Sequence, residues 1–290
     1  MDGPYPNPVH VIGASGRSGS ALCRALVARG QAFVPVVRNA ERWRATGLPG
    51  NPRLADLHDP AALTAALHDA HAIASTAHAR HAGRIIAAAP KQARLVLLGS
   101  TRKFTRWPDA HGNGVIAGER ALLESGRDGV ILHPTMIYGA EGEHNVRRLA
   151  LLLRRLPLIP LPDGGRALVQ PINQSDVTRA LLASLDRAWD GPHSLVIAGP
   201  KPLAYHAFVT EIARSFGIRQ RRILAVPAFL LIPVAALVRI MPGVPDIGPA
   251  EIRRLMEDKA FEIEPMRAIL GFTPISLQAG LARMRAADPP

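Results

Sequence analysis

Three glycines spaced three apart, Gly13, Gly16 and Gly19, follow the short β-prone run Val9-His10-Val11-Ile12 and open a stretch of helical spacing. Such a turn has a mechanical use. Gly13 permits a tight turn, Gly16 lets backbone N–H groups approach a pyrophosphate, and Gly19 lets the helix pack close on the strand. Ser15, Arg17 and Ser18 stand inside the same turn and belong to the same binding set. A glycine triplet between a strand and a helix near the N-terminus points to a dinucleotide. Its type follows from charge. A carboxylate at the end of the second strand, about 20 residues on, holds a free ribose 2′-hydroxyl. Here that place reads Val36-Val37-Arg38-Asn39, with no acid before Glu41. Arg38 together with Arg17 suits a 2′-phosphate, which favours NADP(H) over NAD(H).

The elements that position these residues alternate. Strands are expected at Val9–Ile12, Phe33–Val37, 72–74, 95–98, 130–132 and 195–197, with helices over 20–29, 60–70, 81–88, 116–125 and 176–185. This βα rhythm implies an α/β fold, a Rossmann-type doubly wound parallel sheet covered on both faces. Past Tyr138 the rhythm stops: residues 146–156 read as an arginine-rich helix and 157–163 as a proline-broken loop. The division expected is a dinucleotide-binding core of residues 1–140 plus 168–191, and a smaller α+β lobe of residues 141–167 plus 192–290 that binds a substrate or partner.

Composition narrows the function classes. At 290 residues and 48% apolar the chain is built to fold, and one cysteine, Cys23, excludes a disulfide framework and a cysteine-ligated zinc. The start lacks the basic and apolar regions of a signal peptide, so a cytoplasmic protein is expected. Net charge is +12, from 31 arginines and 4 lysines against 23 acids. With only 4% aromatics and no basic run interleaved with them, a nucleic-acid stacking surface is not expected. A phosphorylated ligand or a membrane surface is the better anion. The run 223–238 is uncharged and flanked by Arg221, Arg222 and Arg239. Two prolines and its length argue against spanning, which leaves a buried hairpin, the favoured reading, or peripheral membrane contact. The pairs His68/His71 and His78/His81 are half a metal site at best, and no metal is expected.

Five segments in order, VIGASGRSG, LADLHDP, IASTAHA, LLGST and HPTMIYG, resemble the atypical and extended short-chain dehydrogenase/reductases, the NAD-dependent epimerase/dehydratase group. QPINQSDVTRAL and AGPKPLAY look closest to the branch related to the nucleotide-binding accessory subunit of respiratory complex I. The resemblance implies that Asp56 and Leu57 border the adenine, that Ala77 and His78 lie beside the nicotinamide ribose, and that Pro134 completes the cofactor site. It also places a substrate-facing hydroxyl at Ser100 or Thr101. The family's catalytic pair is a tyrosine with a lysine four residues on. The only tyrosines here, Tyr5, Tyr138 and Tyr205, have Val9, Gly142 and Val209 at that distance. Registered on Gly118-Glu119, the pair falls on His111 and Val115, so the usual dyad chemistry is excluded.

What remains for chemistry is Lys103 or Ser100 as carbonyl polariser, Tyr138 lining the pocket, and His111 as a proton donor near neutral pH. Glu141, Glu143 and His144 follow the sixth strand and could face a substrate. The leading expectation is an NADP(H)-dependent oxidoreductase reducing a small or lipid-like carbonyl or enone. Two alternatives stay open: a catalytically silent dinucleotide-binding accessory, sensor or assembly protein at a membrane, and a sugar-nucleotide epimerase.

Overall fold

The structure, a computed structural model, describes residues 7–139, 145–231 and 249–287. The strands are β1 Val9–Ile12, β2 Phe33–Val37, β3 Arg53–Leu54, β4 Ala72–Ser75, β5 Arg94–Leu98, β6 Gly129–Pro134, β7 Ile137–Tyr138, β8 Leu158–Pro162, β9 Leu168–Val169, β10 Ile172–Asn173, β11 Pro192–Ile197, β12 Leu203–Ala204 and β13 Arg222–Val226. The helices are α1 Arg17–Ala28, α2 Ala40–Arg44, α3 Pro60–Leu67, α4 Ala82–Ala88, α5 Ala110–Ser125, α6 Asn145–Arg155, α7 Gln174–Asp186, α8 Tyr205–Ser215, α9 Pro249–Arg254, α10 Glu264–Leu270 and α11 Leu277–Ala287.

Seven strands form one parallel sheet in the order β11-β6-β5-β4-β1-β2-β3. Every residue of β1, β4 and β6 is buried, as strands covered on both faces require. β1 pairs with β2 on one side (Val9 with Phe33) and with β4 on the other (Val9 with Ala72). The winding reverses at β1/β4, and the gap above their carboxyl ends is where such sheets bind ligands. Alternate strand residues feed two cores. Val9, Val11, Leu22, Leu26 and Leu181 pack under α1 and α7, while Ile73, Leu95, Leu63, Ile85 and Leu122 pack under α3, α4 and α5.

A third core, with Val146, Leu153, Ile159, Phe208, Ile212 and Leu281, joins α6, β8, α8 and α11 into a smaller body. Four sequence expectations change here. Residues 157–163 are not a loop, since β8 runs parallel to β13. Paired on that side alone, β8 tolerates Pro160 and Pro162, which cannot donate to a ladder. Residues 192–197, given to the lobe, are β11, the edge strand of the main sheet beside β6. Helix α5 starts at Ala110, not 116, because Asp109 caps it by accepting from the Gly112 N–H at 2.8 Å. Similarly α1 starts at Arg17 rather than Ser20.

Two buried polar side chains staple the C-terminal segments to the sheet body. Gln170 accepts from the Phe261 N–H at 2.7 Å and donates to the Gly199 carbonyl at 2.8 Å. Asp176 is 0% exposed, and it accepts from the Ile275 N–H and from Arg179, both at 2.9 Å. Asp176→Ala strands a buried N–H and should lower the unfolding free energy by about 3 kcal/mol. Urea denaturation checks this, and a loss below about 0.5 kcal/mol would mean the staple carries nothing.

Candidate functional site

The glycine turn is built as its spacing predicts. Gly13 has φ +76°, and a side chain there would press on Thr76. A Cβ on Gly19 would come within 2.1 Å of the Gly13 carbonyl oxygen. Thr76, on the segment after β4, donates to the Ile12 and Gly13 carbonyls at 3.1 and 3.2 Å and so fixes the turn. Gly16 is the N-cap of α1, no side chain caps the helix, and its first turn carries no acid. The positive end of α1 is left for an anion. Ser15 stays half-buried in the turn, and Ser18 donates to Gln174 at 3.0 Å.

Arg17 and Arg38 are exposed, the first opening α1 and the second directly after β2, and neither makes an ion pair among the described residues. Asp56 follows β3 and turns the chain by accepting from the His58 N–H at 2.8 Å, with Leu57 half-buried beside it. Ala77 and His78 enter a 3₁₀ turn over Ala79–His81. His78 Nδ1 accepts from the backbone and side chain of Arg80 at 3.0 and 3.2 Å, which puts the ring proton on Nε2. That Nε2 is buried and has no hydrogen-bond partner among the described residues. An orphaned donor beside a cradle that tolerates no side chain is what a bound dinucleotide would complete.

His111, on the first turn of α5, sets its ring against that of His78, with centroids 4.2 Å apart at 84°. Burial, then the charges of His111 and Arg80, push the His78 pKa down to about 4. Burial and Arg102 also hold His111 below its ordinary value. Four residues after His111 stands Val115, an aliphatic core residue 1% exposed.

A cavity of about 540 Å³ opens at the carboxyl ends of β5 and β6, under α6, α8 and α9. Ser100, Thr101, Met136, Leu149 and Phe261 line it, with Arg106, Arg148 and Arg254 among its basic groups. Ser100 caps the 3₁₀ turn over Thr101–Phe104 by accepting from the Arg102 N–H at 3.1 Å. Thr101 donates to the carbonyl of Pro134, the last residue of β6.

Two expected site residues are elsewhere. Lys103 does not line the cavity; its ammonium donates to Glu119 on α5 and lies 3.5 Å from the Ser194 hydroxyl. Burial alone would raise the Glu119 carboxyl, but hydrogen bonds from Lys103 and Ser194 outweigh it and hold the group below the usual range. Tyr138 is 1% exposed in the third core, pressed against Gly280 of α11, and burial pushes its phenol up to about 12. It packs in that core and does not line the cavity at the ends of β5 and β6. Glu141, Glu143 and His144 lie outside the described residues.

The sequence reading missed His133. Fully buried in β6, it accepts from the Ser100 N–H at 3.2 Å through Nδ1, and its Nε2 lies 3.3 Å from Glu119. It therefore ties the cavity wall to the Lys103–Glu119 pair. A histidine inside the apolar run VILHP was the available signal.

Comparison with known proteins agrees with this geometry. Residues 13–150 match the model of an NAD(P)H-binding family. No curated protein matches the chain in sequence. Among solved structures, the NADPH-dependent quinone oxidoreductase QOR2 of Escherichia coli, in complex with NADPH, is 18% identical, with TM-score 0.74 over 95% of this chain and 99% of that one. The protein gox2253 is 16% identical, with TM-score 0.75 over 96% and 97%. A UDP-glucuronic acid 4-epimerase from Bacillus cereus, with UDP-glucuronic acid and NAD, is 16% identical, with TM-score 0.71 over 95% and 96%. Residues 13–150 thus match an NAD(P)H-binding domain, and the whole chain shares its fold with these nucleotide-binding proteins.

Proposed function

We propose that this protein is an NADP(H)-dependent oxidoreductase that reduces a carbonyl or enone held in the cavity at the ends of β5 and β6. The observation that carries this reading is the uncapped N-terminus of α1 at the β1/β4 switch point, with that cavity at the neighbouring strand ends. When bound, the reduced nicotinamide supplies a hydride. The chain's own residues do the rest. Gly13, Gly16 and Gly19 admit the pyrophosphate, and Arg17 and Arg38 take the 2′-phosphate. Ala77, His78 and Pro134 border the ribose end, and Asp56 and Leu57 the adenine end.

Reduction leaves negative charge on the substrate oxygen, and that oxygen then needs a proton. Ser100 and Thr101 offer hydroxyls from the cavity wall. His111, beside His78 and the Arg102 of that wall, is the proton source. Its low pKa makes the imidazolium a good acid and the imidazole a stable product. Lys103, held by Glu119, keeps the wall in place.

The quinone oxidoreductase neighbour favours a quinone or enone acceptor over a sugar nucleotide, and the missing tyrosine disfavours epimerisation. The second reading, a silent accessory or sensor at a membrane, predicts cofactor binding without turnover.

Removing Arg17 and Arg38 together, by alanine, should weaken NADPH binding about 30-fold and leave NADH binding unchanged. Ligand fluorescence titration measures both, and equal losses would remove the 2′-phosphate assignment. With a quinone or enone acceptor, NADPH consumption should rise as the pH falls below 6.5, because the folded-state pKa of His111 is lowered and its protonated fraction grows only there. In His111→Phe that rise should vanish and kcat fall about 100-fold, with NADPH affinity kept. Tight NADPH binding with no consumption by any acceptor would instead establish the silent reading.

A further inference from the structure

Six large apolar side chains stand exposed within two short segments, Leu151, Leu156 and Leu158 in one and Leu224, Phe229 and Leu230 in the other, with Phe229 72% exposed. The segments are neighbours. In the β8/β13 ribbon Leu158 is in register with Arg222 and Pro160 with Leu224, and the outward side of β8 shows Leu158 and Pro160. Arg221 of the second segment donates to the Leu153 and Arg154 carbonyls at the end of α6, at 3.0 and 3.1 Å. Along α6 the buried side is Val146, Ala150 and Leu153, so Leu151, Arg154 and Arg155 lie on the outer face. Of the run 223–238, the described part, 223–231, is thus not a buried hairpin, and residues 232–238 lie outside the described residues.

Charge singles this face out further. Residues 145–162 and 216–231 contain no aspartate or glutamate, while Arg154, Arg155, Arg219 and Arg222 stand exposed in them. The nearest acid along the first segment, Asp163, faces Arg166 at 3.8 Å. Leucines and a phenylalanine set among arginines, without an acid, match a surface whose outer layer is anionic and whose interior is hydrocarbon. A nucleic-acid strand would offer nothing to the leucines, and a protein partner would not require so uniform a sign.

We propose that this face, formed by the outer side of α6, the β8/β13 ribbon and residues 227–231, docks the protein on an anionic lipid bilayer. The protein lies on the surface, since no helix among the described residues is long and apolar enough to cross a membrane. Arg154, Arg155 and Arg222 bind headgroup phosphates, and Leu224, Phe229 and Leu230 enter the acyl boundary. Helix α6 also lends Arg148, Leu149 and Leu152 to the cavity, so the lipid-facing patch and the cavity share a wall.

Co-sedimentation of the full chain with phosphatidylcholine vesicles, with and without about one-third phosphatidylglycerol, tests this. Binding is expected only to the anionic vesicles. The triple variant Arg154→Glu/Arg155→Glu/Arg222→Glu should weaken it about 100-fold. The control triple Arg42→Glu/Arg44→Glu/Arg120→Glu, with the same charge change on the sheet body, should bind nearly as wild type. Phe229→Ser/Leu230→Ser should weaken binding about tenfold and abolish what survives in about 0.5 M salt. Three results would overturn the proposal. One is absence of binding. Another is equal loss in both triples with no effect of the apolar pair, which is adsorption of a basic protein. The third is a dimer in solution that Phe229→Ser dissociates, which makes a second copy the occupant.

Discussion

At the dinucleotide end, one backbone contact decides the geometry, the approach of Gly19 in α1 to the Gly13 carbonyl. A single methyl group at residue 19 would sit 2.1 Å from that oxygen. Backbone against backbone cannot yield as a flexible side chain can. Thr76 closes the arrangement from β4 by donating to both Ile12 and Gly13. With the helix held there, its uncapped N–H groups open above the gap between β1 and β4. Gly16 as N-cap offers no side-chain oxygen to satisfy them. The missing side chains at residues 16 and 19 thus fix the helix packing and leave a positive pole for a phosphate.

That end of the molecule was legible in the sequence because its determinants are local. A strand, a glycine spacing and an amphipathic helix lie within twenty residues, and each reports on its own conformation. β2, β4, β5 and β6 were legible for the same reason, as apolar runs buried on both faces. The lobe was not. β8 exists only because β13, sixty residues later, pairs with it, and nothing in Leu158–Pro162 announces that partner. The fates of Lys103 and Tyr138 are also non-local. Glu119 claims the first from across α5, and Gly280 makes room for the ring of the second. His111 is intermediate: its place at the start of a helix was readable, but its contact with His78 required the fold.

With no lysine four residues after any of its tyrosines, the chain must draw on other groups for chemistry. A lysine four residues after a phenol would lower its pKa through charge, yet Val115 is buried aliphatic packing. The lone lysine nearby is neutralised by a carboxylate. Near a cavity wall that includes guanidinium groups lies a pair of imidazoles whose pKa values burial and neighbouring charges lower. Such a wall stabilises an oxygen that gains negative charge, and it does so without any group having to ionise first. A site of this kind asks little of its acid, since an enolate or quinol oxygen near cations is already held down in energy. That fits a reduction better than a reaction needing a strong base.

The basic excess of the chain also acquires a location. Preference for arginine over lysine can reflect genome composition, but composition does not say where the acids go. Where the sheet body carries arginines, carboxylates answer several of them: Asp69 pairs with Arg53, Asp186 with Arg29, and Asp109 with Arg102. The segments of α6 and β13 carry seven arginines and no aspartate or glutamate of their own. On that same face stand Leu151, Leu156, Leu158, Leu224, Phe229 and Leu230, half of the large apolar side chains exposed among the described residues. A concentration of one sign of charge and uncovered hydrocarbon each cost solubility or stability when alone. Their coincidence on one face is accounted for by a partner that satisfies both at once, as the headgroup layer and acyl boundary of a bilayer do.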